Sequence, residues 1–228
     1  MATIEKSTLK FLKDLEKNNN REWFKSQKDR YDIMHNNMIE FADDLMSLML
    51  QHDQLIPMSG KQSLFRIYRD VRFSKDKSPY KNHMAGRMKR DTPYLRGGYY
   101  YSISPGGKSQ LGCGFWNPNS EDLKLIRDQI IADHKPLMKI LNGKKFKDTF
   151  GELHGEKLKN APRGYDPEHP AVEILKHKSM YVNVNFTDKE VLSPGFAQTL
   201  NKHYKAIRPY LNYMSDILTH DLNGHALY

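Results

Sequence analysis

The sequence predicts an α+β fold: a mainly antiparallel sheet with an N-terminal helical hairpin and a long C-terminal helical segment packed on it. Three observations carry that expectation. Apolar residues recur at helical spacing near both ends of the chain, and apolar and polar residues alternate over several short segments between them. The strand-like segments also follow one another without the regular helical crossovers that a parallel sheet requires. At 228 residues the chain can bury a core of its own, and no internal repeat, low-complexity tract or charged linker divides it, so one domain over residues 1–228 is expected.

The elements follow in order. Leu9, Leu12 and Leu15 lie at helical spacing behind Ser7, whose hydroxyl is expected to cap the first turn. The run Asn18, Asn19, Asn20 should end this helix, with Asn20 capping the next and Glu22 in its first turn. Trp23, Phe24, Ile33, Met34, Met38, Phe41, Leu45, Leu48 and Met49 extend an apolar stripe that reads as core packing rather than a cofactor surface. Past Pro57 and Gly60 the period becomes two. Phe65, Ile67, Val71 and Phe73 share one face of a predicted strand over residues 65–73, with Arg66, Tyr68, Asp70 and Arg72 opposite and Arg69 on the apolar face. Phe65, Ile67 and Phe73 should then be buried.

Residues 99–103 and 111–116 form a predicted hairpin around Pro105, Gly106 and Gly107, and the alternation places Cys113 on a buried face as a structural thiol. A helix should begin near Ser120 and carry Leu123, Ile126, Ile130 and Ile131, and Pro136 should open another. Loops follow around Pro162, Gly164, Pro167 and Pro170. Met180, Val182, Val184 and Phe186 then alternate as a further strand. The last helix follows Ser193 and Pro194, and Pro209 is expected to kink or break it.

Composition excludes some classes of function. The longest near-apolar run, residues 45–50, falls far short of the roughly 18 residues that span a bilayer, and the amino terminus lacks the order of a secretory signal. A cytoplasmic protein without a membrane partner is expected. One cysteine leaves no disulfide framework. The charge is +9, and residues 61–90 hold ten basic residues against Asp70 and Asp76, a local excess of +8 that points to an anionic partner.

The stretch FRIYRDVRFSKDKSPYKNH, residues 65–83, carries the chemistry. A guanidinium presents paired donors to a phosphate or carboxylate, and a lysine adds a mobile charge. Arg66, Arg69, Arg72, Lys75, Lys77 and Lys81 are therefore the candidate anion-binding set, with Tyr68, Tyr80 and Tyr100 as aromatic lining. Asp70 and Asp76 are the weak candidates for acid or base work, because cationic neighbours lower a carboxylate's pKa and its strength as a base. On a regular strand Arg66 and Arg72 stand about 20 Å apart, so one shared site requires the loop over residues 74–80 to fold back. A salt-bridged scaffold, with Asp70, Asp76 or Glu22 neutralising Arg69, weighs about equally with an anion site. A small anionic molecule is the first reading of the partner. The second is a nucleic-acid module in which the same cations follow phosphates and tyrosines stack on bases, although two aspartates interrupt the tract.

No cofactor or metal is expected. The segment SISPGGKS, residues 102–109, lacks the first glycine of a phosphate-binding loop and lies between strands. No serine sits in a nucleophile elbow, Gly112, Cys113 and Gly114 lack the rest of a dinucleotide fingerprint, and the histidines lack ligand spacing, the nearest group being His220, Asp221 and His225.

The sequence resembles a bacterial family designated domain of unknown function 2461. The likeness rests on NNNREWF (18–24), RIYRDVRFSKDKSPYKNH (66–83), GYYYSISPGG (98–107), GFWNP (114–118) and APRGYDPEHP (161–170), and so covers nearly the whole chain. It implies a single α+β domain. It supplies no activity, substrate or catalytic residue.

Overall fold

The computed structural model describes residues 1–91 and 93–227. The chain divides into two compact units, one of Met1–Met88, Tyr100–Leu111 and Asn185–Lys202, the other of Lys89–Tyr99, Gly112–Val184 and His203–Tyr228.

In the first unit α1 (Lys6–Lys17) begins behind Glu5, and Ser7 lies inside its first turn. The Ser7 hydroxyl donates to the Glu5 carboxylate instead of capping the helix. Asn18 ends α1, and Asn20 caps α2 (Arg21–Ser26) by accepting from the Trp23 amide at 2.9 Å. Gln27 separates α2 from α3 (Lys28–Leu50), so the predicted second helix is two. The stripe buries Met34, Met38, Phe41, Leu45 and Met49, while Ile33 falls outside it and is exposed. A capping box between Ser59 and Gln62 opens the single turn α4 (Gly60–Ser63).

Residues 65–73 form neither strand nor helix, and the first strand is β1 (Met84–Lys89). Ile67 is buried as the alternation required, but Phe65 is only half-buried and Phe73 is 96% exposed. Local bonds explain the difference. Asp70 takes the Arg72 amide and guanidinium, and Asp76 takes the Ser78 amide and hydroxyl, so side chains satisfy this backbone where a strand would use a ladder.

Then follow β2 (Gly98–Ile103), β3 (Ser109–Phe115), α5 (Ser120–Ala132), α6 (Lys135–Asn142), α7 (Lys144–Phe150), α8 (Val172–Leu175), β4 (Met180–Phe186), α9 (Asp188–Val191) and α10 (Phe196–Thr219). The strands make one antiparallel sheet in the order β1-β2-β3-β4, and the chain is α+β with the long C-terminal helix packed on that sheet. Cys113 on β3 is fully buried and its thiol pKa is pushed up by desolvation, as a structural thiol should be.

Within the first unit Phe41 packs on Tyr101 of β2 and on Phe196 of α10, with ring centroids 5.8 and 5.9 Å apart. Within the second, Tyr204 meets Tyr99 at 5.0 Å and the Tyr210 hydroxyl donates to the Met180 carbonyl at 3.1 Å. α10 runs through Pro209, which does not end it. A mid-helix proline costs about 3 kcal/mol, less than is gained by burying Tyr204, Ile207, Tyr210, Leu211 and Met214 at roughly 1.5–3 kcal/mol each.

Arg90 is 0% exposed. It donates to Asn212 Oδ1 at 2.7 Å, Ser215 Oγ at 3.1 Å and the Arg96 carbonyl at 3.3 Å. One cation of the basic tract thus belongs to the core. Among the described residues no helix is long and apolar enough to cross a membrane.

A candidate anion-binding cleft

The site lies in the first unit and follows from an interrupted hairpin. Leu64 pairs with Gly86 and Tyr68 with Tyr80 in antiparallel bridges, supported by backbone bonds from Phe65 to Ala85, Lys81 to Ile67 and Arg69 to Pro79 at 2.8, 2.8 and 2.9 Å. The outgoing arm takes four steps between these bridges and the returning arm six. The surplus bulges at Asn82 and His83, and such a bulge re-aims side chains. Both residues line a cleft of about 400 Å³, together with Arg69, Asp76, Ser78, Tyr80 and Lys81 of the hairpin and Glu16 and Asn19.

The two residues from outside the hairpin hold it in place. Asn19 imitates a strand neighbour: its side-chain amide donates to the Tyr80 carbonyl at 2.9 Å and its oxygen accepts the Tyr80 amide at 3.1 Å. Glu16, in the last turn of α1, accepts from Asn82 at 3.1 Å and lies 3.6 Å from Lys108. Tyr80 is buried and stacks on Phe24 at 4.0 Å.

The carboxylates at the cleft have cationic partners, and one of its cations has no carboxylate partner among the described residues. Hydrogen bonds from Ser78 and then Arg69 hold the Asp76 carboxyl far below the usual range, so it stays ionised and is a poor base. Arg69 is paired to that carboxylate and reaches Ser74 Oγ at 3.4 Å. Lys81 has no carboxylate among the described residues. Its Nζ donates to the Arg66 carbonyl at 2.8 Å, which fixes the ammonium and leaves two hydrogens for another acceptor. Burial, then the Arg66 charge, lowers its pKa. Burial, then Lys81, lowers that of His83, which is therefore neutral at pH 7.

Of the predicted set, Arg69, Lys81, Tyr80 and Asp76 line the cleft, while Arg66, Arg72, Lys75, Lys77, Tyr68, Tyr100 and Asp70 do not. The loop does fold back, as a shared site demanded, but it turns Arg72 outward onto Asp70, at 3.0 and 2.6 Å, and Lys77 onto the Val71 carbonyl at 2.9 Å. Asp70 is held below its ordinary range by Arg72. Arg66, Lys75 and Tyr68 are exposed, and Tyr100 is half-buried on β2, 6.3 Å from Phe65. Glu16, Asn19, Ser78, Asn82 and His83 were not marked by any pattern of spacing. The hints were motif membership alone, Asn19 in NNNREWF and Ser78, Asn82 and His83 in the long motif that runs on to His83.

The glycine turn between β2 and β3 is already filled. Gly106 and Gly107, with φ of 79° and 71°, aim their amides at the Asp188 carboxylate at 3.0 and 2.9 Å. It is an anion nest for a side chain of the chain itself. His225 lies 3.4 Å from Asp221, and among the described residues no group of three or more His, Cys, Asp or Glu could hold a metal ion.

No curated protein and no solved structure matches the chain. The profile of a family described as conserved hypothetical protein (DUF2461) matches residues 7–213, a span that takes in every residue lining the cleft. The chain belongs to the DUF2461 family.

Proposed function

We propose that the protein binds a small phosphate- or carboxylate-bearing molecule in the hairpin cleft. The observation that carries this reading is Lys81: a fixed ammonium at the cleft with no carboxylate partner among the described residues, beside a neutral histidine that can donate or accept one proton. Glu16 and Asp76 do not cancel it, because each has a cation of its own: Arg69 pairs with Asp76, and Lys108 lies 3.6 Å from Glu16. The volume is within the range of small-molecule pockets.

Sulfate is a suitable probe because its own charge is constant near neutrality. Calorimetry should show one site. Its pH dependence follows from the two shifted groups. A bound anion favours imidazolium, so His83 takes up a proton on binding and affinity rises as pH falls below 6.5 toward the lowered free value. At the alkaline end affinity is lost as Lys81 deprotonates, beginning below its ordinary 10.5. Enthalpies that vary with buffer ionisation would report the proton uptake, and His83→Gln should abolish it. Affinity that does not rise on acidification below pH 6.5 contradicts the assignment of His83, and affinity undiminished at pH 10.5 contradicts that of Lys81.

A further inference from the structure

We infer that the outward side of the same hairpin, residues 66–77, is a binding surface for single-stranded nucleic acid. Within this range Arg69 and Asp76 face the cleft, and the surface is built from the other side chains, none of which lines it. Phe73 is 96% exposed, and Tyr68 is 54% exposed with its ring centroid 5.4 Å from that of Tyr80. In the same segment Arg66, Lys75 and Lys77 are exposed and without a carboxylate partner among the described residues. The two aspartates of the segment do not offset them, since Asp70 is bound by Arg72 and Asp76 by Ser78 and Arg69. The Arg72 guanidinium itself lies 5.9 Å from the Phe73 ring.

Cations that follow a phosphate backbone, interleaved with rings on which bases stack, are the requirement for strand binding without sequence preference. Stacking of this kind needs unpaired bases, which favours a single strand over a duplex. A lipid surface fits less well. Membrane-surface segments bury a continuous apolar face, whereas this one presents two separate rings divided by charged and polar side chains.

The test is fluorescence anisotropy of a labelled oligothymidylate of about 20 nucleotides with the full chain. Binding is expected at low salt, weakening with a log–log slope near −2, about −0.7 for each of three phosphate contacts. Lys75→Gln with Lys77→Gln should flatten that slope by about 1.4. Phe73→Ala should cost about tenfold at every salt concentration with the slope unchanged, since it removes stacking and no charge. Its exposure makes unfolding an unsuitable explanation for that loss. Lys81→Met should leave strand affinity within about twofold, because its side chain belongs to the cleft. The inference is overturned by absence of binding at low salt or by a Phe73→Ala variant that binds as tightly as the parent. Equal affinity for polyglutamate, or tighter binding to phosphatidylserine vesicles, overturns it as well.

Discussion

Gly114→Ala is expected to lower the free energy of unfolding by about 2–6 kcal/mol, the sum of two independent costs. The first is conformational: Gly114 has φ of 138°, a region open in practice to glycine alone, and a side chain there costs about 1–3 kcal/mol. The second is steric. A Cβ would stand 2.6 Å from the Tyr181 Cα and overlap the Met180 carbonyl on the neighbouring strand β4, and neither backbone atom can yield as a side-chain tip would. Forcing such an overlap costs about another 1–3 kcal/mol. Gly106→Ala separates the two, because that residue also has positive φ, 79°, but nothing lies within 4 Å of its Cβ position. It should lose only about 1–2 kcal/mol. Urea unfolding measures both. Equal losses would show that close packing of β3 on β4 contributes nothing.

Lys81→Met is expected to weaken sulfate binding by about 10- to 100-fold while leaving the midpoint of urea unfolding nearly unchanged. A charge-assisted hydrogen bond contributes about 1.5–3 kcal/mol, which is that range in affinity. Methionine keeps the aliphatic stem of the lysine and gives up only the ammonium, whose one hydrogen bond among the described residues goes to the Arg66 carbonyl. Arg72→Met is the matched control. It removes the same unit of charge from the same segment, but from an outward guanidinium already held by Asp70. A localised site predicts a large loss for Lys81 and little for Arg72. Similar losses for both would mean that the basic tract attracts anions through its general field.

Much of the architecture was legible because local chemistry and burial agree. Asn20 both ends one helical pattern and caps the next, and β4 alternates over residues 180–183 as a half-buried strand should, whereas β3 is buried on both faces. Phe73 was misplaced for a physical reason: alternation assumes a continuous ladder, and it cannot register two aspartates that bind their own neighbours and turn the chain. β1 went unread because Arg87 and Lys89 place it in the charged tract. Gly86, its least strand-like residue, is required by the Tyr101 hydroxyl, 2.5 Å from where a Cβ would lie. Arg90 was counted as surface charge, although no residue-type rule shows that Asn212 and Ser215 wait for it on α10. At the cleft, residue type alone pointed to Arg69 and Lys81. The bulge that brings His83 beside them depends on the pairing register of two arms, which no spacing within either arm encodes.

The most direct test of the central claim is to soak crystals of the protein in selenate and locate the selenium by anomalous scattering. The account predicts a peak in the cleft, with a selenate oxygen about 2.7–3.0 Å from Lys81 Nζ and on the side facing His83 and Arg69. Selenate bound only along the outer arm at Arg66, Arg72 or Lys75, with the cleft empty, would contradict it.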